Sequence, residues 1–117
     1  MKTGTDVVEN ARFIRAVNRN EGRLRERLFT REELACSPEN MDLAVMFSAK
    51  ESVAKALGTG FDSFLSWHDI KIFINGDDVT AVLSGRALEL AEGYHILLSA
   101  TQDRNTSVTC ALLTEGE

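Results

Sequence analysis

The sequence predicts an α+β fold in a single domain, in which a mainly antiparallel sheet carries helices on one face. The chain has 117 residues and one Pro, with 44% hydrophobic and 26% charged residues, which is typical of one globular domain spanning residues 1–117. Segments with strand and helix periodicity follow one another in the order β-α-α-α-β-β-α-β-β. Polar turns join two pairs of these strands, which favours antiparallel hairpins over parallel crossovers.

The first third of the chain is predicted to contain one strand and two helices. Residues 3–8 form the strand. From Asn10, a favourable N-cap residue, the apolar positions follow the helical period. The run TREE is a capping box, with Thr30 as the cap and Glu33 three positions later, and it opens a short helix that ends near Cys36.

A long third helix is predicted next. Ser37 is a suitable N-cap and Pro38 favours the first helical position. No helix breaker follows before Leu57, and Gly58 supplies the left-handed residue at which helices commonly end.

The second half of the chain is predicted to form two hairpins separated by a helix. The runs DIKIFI (69–74) and VTAVLS (79–84) alternate as strands around the turn NGDD. The run RALELAEG (86–93) is a short amphipathic helix. Two last strands, 94–100 and 107–113, enclose the polar turn TQDRN.

The amino-acid composition limits the classes of binding partner that we expect for this chain. Lys and Arg total 13 against 18 Asp and Glu, so a net charge of −5 gives no overall attraction to nucleic acid. No apolar run approaches the length of a membrane span, and the N-terminus lacks the apolar segment of a signal peptide. Cys36 and Cys110 lack the spacing of a zinc site or disulfide framework. We therefore expect a cytoplasmic protein without nucleic-acid or membrane partners.

Positive charge is nevertheless concentrated in one segment. Residues 12–31 hold seven arginines against two glutamates. Arg12, Arg15 and Arg19 share one face of the first predicted helix. A solvated helix face and a docking surface for an acidic partner are both consistent with this pattern.

Asp6 is the first candidate functional residue. It lies within GTDVVENARF (4–13), at the head of a β-branched run. An isolated buried carboxylate is costly, so Asp6 should be paired, bound to a metal or exposed to water. The alternative to a metal ligand is a turn residue that accepts hydrogen bonds from backbone amides.

The second candidate cluster lies on the long helix, in MFSAKESVAKALGTG (46–60). Phe47, Glu51 and Lys55 are spaced i, i+4 and i+8, so they form one stripe, with Lys50 beside it. A Glu–Lys pair on a wet surface explains this spacing by itself. Together with Asp6, however, Glu51 offers the carboxylate oxygens that Mg²⁺ prefers, and Lys55 lies where it could hold a phosphate. This combination suits chemistry on a diphosphate.

The two motifs also resemble a known family. GTDVVENARF is similar to the N-terminal signature of the holo-acyl-carrier-protein synthases, the short class of 4'-phosphopantetheinyl transferases. FSAKESVAKALGTG is similar to their second signature. Weaker similarity continues through LFTREEL, WHDIKI and the helix before the last two strands, so the resemblance covers nearly the whole chain.

The resemblance implies a 4'-phosphopantetheinyl transferase-like fold and a specific reaction. Such enzymes transfer the phosphopantetheine arm of coenzyme A to a serine of an acyl carrier protein. By resemblance, Asp6 and Glu51 hold Mg²⁺, or Mn²⁺, against the coenzyme A diphosphate. Glu51 or a water beside it accepts the serine proton, Lys55 stabilises the leaving phosphate, and Lys50 contacts the nucleotide.

The resemblance also implies partners. Arg12 and Arg15 would contact the acidic recognition helix of the carrier protein. Family members of this size form homotrimers with active sites between protomers, and they serve fatty acid biosynthesis. We expect the same of this chain, with coenzyme A as co-substrate.

Three positions depart from the family pattern. Met46 replaces a common arginine, Asp77 lies in a hairpin that often reads Gly-Lys-Pro, and Ala100 replaces a frequent histidine. All three changes remove basic or proton-carrying groups where a polyanionic cofactor would lie. The alternative prediction is therefore a catalytically weakened relative that acts as a trimeric carrier-protein-binding module.

Overall fold

The chain alternates short helices with antiparallel strands, and the computed structural model describes it over residues 1–61 and 65–116. Two 3-10 turns, at Asn20–Gly22 and Trp67–Asp69, lie between the regular elements. The helices and strands are, in order, β1 (Lys2–Glu9), α1 (Asn10–Val17), α2 (Arg23–Leu28), α3 (Arg31–Cys36), α4 (Asn40–Ala56), β2 (Ile70–Asn75), β3 (Asp78–Leu83), α5 (Gly85–Leu90), β4 (Tyr94–Gln102) and β5 (Thr106–Glu115).

The strands form two antiparallel sheets instead of the one predicted. A three-stranded sheet has the order β1-β5-β4, and the hairpin β2-β3 forms the other. In the first sheet Asp6 of β1 lies opposite Thr109 of β5. Helix α4 packs across the inner face of β1 and β5. The predicted α+β class is confirmed.

Helix α4 is the centre of the core. Its buried apolar residues pack against α1, β2 and the strands β1 and β5. Gly4 permits the close approach of β1, because a Cβ at this position would lie 2.1 Å from the Ser52 carbonyl oxygen and 2.6 Å from the Ala56 nitrogen. The strand that carries Asp6 is thus held directly against the helix that carries Glu51.

Three of the predicted helix ends are confirmed, including the end of α3 at Cys36, and two are wrong. Thr30 and Glu33 form the reciprocal capping box, and Gly58 has a left-handed φ of +84° after α4. Asn10 is not an N-cap: it is buried as the first residue of α1, where its Nδ2 donates to the Asp103 and Arg104 carbonyls.

Ser37 likewise does not cap the long helix. It follows the end of α3, where its N–H donates to the Glu33 carbonyl, and α4 begins only at Asn40. Residues 37–39 therefore connect two helices instead of starting the second.

Helix α2 was not predicted. Glu21 and Gly22 adopt left-handed conformations, with φ of 58° and 81°, and so separate α2 from α1. Leu24 and Leu28 lie one helical turn apart on α2, and Leu28 is buried. Across residues 1–61 and 65–116, none of the helices has the length and apolar character needed to cross a membrane.

Candidate active site

Strand β1 and helix α4 bring Asp6, Glu51 and Lys55 close together. Lys55 Nζ lies 2.9 Å from Asp6 Oδ1 and donates a second hydrogen bond, also of 2.9 Å, to the Thr5 carbonyl. Asp6 is mostly covered, with a side chain 14% exposed, whereas the Lys55 side chain is 51% exposed. The carboxylate is therefore anchored while the ammonium stays accessible.

The negative charge of Asp6 affects the pKa of Glu51. Burial raises the pKa of Glu51, the negative charge of Asp6 raises it further, and Lys55 opposes both effects. A cation between the two carboxylates would relieve this repulsion.

The donor set fits a hard divalent cation. Within the described part of the chain, no three His, Cys, Asp or Glu side chains come together as a metal-ligand group. Asp6 and Glu51 would thus supply two carboxylates, and water and substrate oxygens would fill the remaining positions. This ligand set is the one Mg²⁺ commonly takes when it binds a phosphorylated substrate.

Lys55 retains capacity for a substrate anion. Its ammonium has three hydrogens, of which the Asp6 carboxylate and the Thr5 carbonyl take two. Since half of the side chain is exposed, the third hydrogen is available to a phosphate oxygen.

The expectation that Lys50 contacts the nucleotide is not met in this chain. The side chain is fully buried, and its three hydrogens go to Glu33 Oε1 at 3.0 Å, the Trp67 carbonyl at 2.9 Å and the Ile70 carbonyl at 2.6 Å. No donor remains for a ligand. Lys50 is adjacent to Glu51 in sequence but points from α4 into the core.

Beside β1, an apolar groove of about 600 Å³ opens between α1, α2 and α4. Phe13, Phe47 and Leu24 line it, with Arg12 and Arg27 among its charged residues. Arg15 is exposed one turn after Arg12 on α1. Sequence reasoning missed Leu24 and Arg27 because it did not predict α2.

A stack of aromatic rings forms one side of this groove. The Phe47 ring lies 5.0 Å from Phe13 and 5.4 Å from Trp67, and Trp67 lies 3.6 Å from Phe61, measured between ring centroids. The stack connects α1 and α4 to the segment beyond Gly58, so Phe47 is a packing residue as well as part of the groove.

A second cavity, of about 390 Å³, lies beside the β2-β3 hairpin. Asp77 and Ala100 line it together with Asp42, and none of the described lining residues is lysine or arginine. Two of the three departures from the family pattern thus share one acidic cavity. Met46 does not belong with them, because its side chain is fully buried in the core.

The chain belongs to the 4'-phosphopantetheinyl transferase superfamily, whose sequence model matches residues 2–111. It is 39% identical to the holo-acyl-carrier-protein synthase of a Thermoanaerobacter species over 97% of this chain and 87% of that protein. It is also 39% identical to the synthase of Clostridium acetobutylicum over 94% of both chains.

Solved structures of such synthases share the fold. The Helicobacter pylori enzyme in complex with coenzyme A has a TM-score of 0.84 at 25% identity, over 96% of this chain and 99% of that one. The Neisseria meningitidis enzyme has a TM-score of 0.84 at 27% identity, over 97% and 98% of the two chains. The resemblance of the two sequence motifs to this family is therefore confirmed.

Proposed function

We propose that this protein is a holo-acyl-carrier-protein synthase that transfers 4'-phosphopantetheine from coenzyme A to a serine of an apo acyl carrier protein. The observation that carries the proposal is the meeting of Asp6, Glu51 and Lys55 at one point of β1 and α4. Family membership and synthase relatives at 39% identity over most of the chain support it.

Each residue of the site has a separate role in the proposed reaction. The serine oxygen attacks the pantetheine-bearing phosphorus, and the bond from that phosphorus to the bridging oxygen breaks, releasing adenosine 3',5'-bisphosphate. Glu51, or a water beside it, accepts the serine proton. Lys55 donates to the phosphate that carries the departing charge.

We propose Mg²⁺ as the cation, held by Asp6 and Glu51, with Mn²⁺ as a substitute. When bound, it neutralises the diphosphate and orients it for in-line attack. Lys55 Nζ lies 2.9 Å from Asp6 Oδ1. A cation held by Asp6 would compete with this ammonium and would leave it free to donate to phosphate.

We propose that the carrier protein docks on the groove beside α1. Arg12 and Arg15 are exposed on α1, and Arg27 adds a further positive charge from α2. The apolar floor at Leu24 and Phe47 suits the nonpolar side of an acidic amphipathic helix. Charge attracts the partner and the floor provides contact area.

We also propose a homotrimer, in which the uncovered face of the β1-β5-β4 sheet is buried. Val7 and Leu97, which are 66% and 60% exposed on this face, are apolar side chains that the trimer would bury. Light scattering should give three times the mass of the chain, and Leu97→Glu should lower it.

The family match and the two cysteines support a proposal for the domain organisation and the cellular location. We propose that one transferase domain occupies residues 1–117 and acts in the cytoplasm in fatty acid biosynthesis. Cys36 and Cys110 are both free and exposed, which suits a reducing compartment.

A second candidate function is a carrier-protein-binding module with weakened catalysis. The acidic cavity at Asp42 and Asp77 favours it, since negative charge there would repel a polyanionic cofactor. The retained Asp6, Glu51 and Lys55 favour the enzyme.

Intact-mass spectrometry of an apo carrier protein separates the two candidates. After incubation with coenzyme A and Mg²⁺, a gain of one phosphopantetheine that is lost with Glu51→Gln supports the synthase. No gain on any of several carriers, while carrier binding persists, supports the binding module.

A further inference from the structure

Three buried hydroxyl groups lie where helix α4 packs against β5, the strand next to β1. Ser48 and Ser52 are one turn apart on α4, and Thr109 faces them from β5. Ser48 and Ser52 are fully buried, and Thr109 is 1% exposed. Buried hydroxyls need hydrogen-bond partners, so the partners of these three groups must be accounted for.

The contacts form a continuous chain that ends at Asp6. Ser52 Oγ lies 2.6 Å from Thr109 Oγ1, and Thr109 Oγ1 lies 2.8 Å from Ser48 Oγ. Ser48 Oγ lies 3.2 Å from the Asp6 carbonyl oxygen. Each hydroxyl has one hydrogen, and a carbonyl accepts only.

The direction of the chain follows from this count. If Ser48 donates to the Asp6 carbonyl, Thr109 must donate to Ser48, and Ser52 then donates to Thr109, either at Oγ1 or at the Thr109 carbonyl oxygen 3.2 Å away. Every hydrogen is then used once. In this arrangement Thr109 is the link that fixes the orientation of the Ser48 hydroxyl.

We infer that Thr109 is a positioning residue for the reaction proposed above, acting through Ser48 on the backbone of Asp6. Thr109 is also the cross-strand neighbour of Asp6 in the sheet. It therefore ties the strand that carries one carboxylate to the helix that carries Glu51. The hydroxyl chain sets the distance and direction between the two carboxylates.

Packing alone would not require these hydroxyls. A valine at position 109 has nearly the same shape as threonine. Replacing a hydrogen-bonded group by an apolar group of equal shape changes stability little when the former hydrogen-bond partners are satisfied elsewhere or are also removed. The Thr109 hydroxyl instead fixes the orientation of the Ser48 hydroxyl, which donates to the Asp6 carbonyl.

The test compares Thr109→Val, which removes the hydroxyl, with Thr109→Ser, which keeps it. Ser107→Ala is the matched control, because Ser107 is an equally buried hydroxyl on β5 that bonds to Asn10 and Gln102 instead of the site. The measurements are the carbonyl ¹³C shift of Asp6 by NMR, the transfer rate at saturating carrier, and the Mg²⁺ concentration for half-maximal rate.

We expect Thr109→Val to move the Asp6 carbonyl signal, and to lower kcat and raise the Mg²⁺ requirement by about tenfold, with the carrier KM unchanged. Thr109→Ser should restore both values, and Ser107→Ala should leave the Mg²⁺ requirement and the Asp6 signal as in the wild type. If Thr109→Val does not fold, Ser48→Ala replaces it, since it removes the last link to Asp6.

Other outcomes overturn the inference or separate it from the proposed function. An unmoved Asp6 signal, or an unchanged Mg²⁺ requirement together with a lower Tm, would show that the hydroxyl is structural only. If the wild type transfers no phosphopantetheine, the proposed function fails. The Asp6 carbonyl signal, which needs neither substrate nor metal, then still decides whether Thr109 holds this strand.

Discussion

Lys50 and Glu33 form an ion pair in which both side chains are fully buried, with 3.0 Å between Nζ and Oε1. Glu33 also accepts hydrogen bonds from the Thr30 and Ile72 backbone nitrogens. The pair therefore joins α3, α4 and β2 at one point. Since Lys50 precedes Glu51 on α4, this point also fixes the helix turn that carries the catalytic candidate.

Removing one partner of this pair should be strongly destabilising. Lys50→Met leaves Glu33 as an uncompensated buried charge, and we expect a loss of about 3–5 kcal/mol in the free energy of unfolding, measured in urea. Lys71→Met is the control, because the Lys71–Glu32 pair is partly exposed and should contribute less than about 1 kcal/mol. Equal losses in the two variants would contradict the structure.

The same pair should give the protein a pH-dependent stability on the alkaline side. Burial lowers the pKa of Lys50 from 10.5 to about 8, although the charge of Glu33 opposes the change. Between these values the unfolded chain binds a proton that the folded chain has lost, so this group makes unfolding less favourable as pH rises. Falling pH removes that contribution as it passes through the folded-state pKa.

The measurement is the unfolding free energy from pH 7 to 10.5 for wild type and Lys50→Met. The difference between the two should grow with pH, because only the wild type carries the titrating ammonium. Parallel curves would show that the pKa of Lys50 is not lowered in the folded protein.

Glu51→Gln should separate activity from stability. We expect the transfer rate to fall by about 10²- to 10⁴-fold, because the variant lacks the carboxylate that we propose as the proton acceptor. The metal-free variant should melt above the wild type at pH 7. The folded-state pKa of Glu51 is raised, so the stability present below its unfolded pKa is lost as pH rises through the folded value.

Melting curves at pH 4 and pH 7, with and without Mg²⁺, test this prediction. The gap between variant and wild type should widen at pH 7 and close when Mg²⁺ is added, because the ion stabilises only the chain with both carboxylates. A variant that melts lower at pH 7 without Mg²⁺ would show that Glu51 stabilises the fold.

Two features that depend only on neighbouring residues were predicted correctly, whereas the N-caps expected at Asn10 and Ser37 were not. The capping box at Thr30 and the left-handed Gly58 each need only neighbouring residues, and both are confirmed. The break at Glu21 was missed, because glutamate rarely adopts positive φ, although Gly22 beside it does so readily. Helix α2 and its side of the groove were missed as a result.

The candidate site likewise combines features that the sequence indicated with one that it did not. Asp6, Glu51 and Lys55 carry recognisable motifs, and the structure brings them together. The burial of Lys50 depends on Glu33, which lies 17 residues away on another helix. Helical spacing gave Lys50 a place beside the stripe, but it contains no information about a partner across the core.

Arg12→Ala should weaken the carrier interaction without affecting the chemical step. Arg12 is exposed at the groove and has no contact with Asp6 or Glu51 among the interactions of the described chain. We expect the KM for the carrier to rise by about three- to tenfold, with kcat unchanged and a smaller effect at high salt. Arg86→Ala, on α5, is the control and should leave KM unchanged. A loss confined to kcat would place Arg12 in the catalytic machinery instead.

Gly4→Ala should disrupt the site from a distance by separating β1 from α4. The added Cβ would meet two backbone atoms, at 2.1 Å from the Ser52 oxygen and 2.6 Å from the Ala56 nitrogen, and neither can move without shifting the helix. We expect a loss of at least about 1–3 kcal/mol in the free energy of unfolding, which is the usual cost of overpacking. Stabilisation by Mg²⁺ should fall as well, since Asp6 lies on the displaced strand.

Gly60→Ala is the matched control for this experiment. Its Cβ would have no atom of the described residues within 4 Å, so the unfolding free energy should change little. Urea denaturation of both variants, repeated with Mg²⁺, gives the two quantities. If Gly4→Ala keeps the full stability of the wild type, β1 and α4 are not in the direct contact on which the geometry of Asp6 and Glu51 depends.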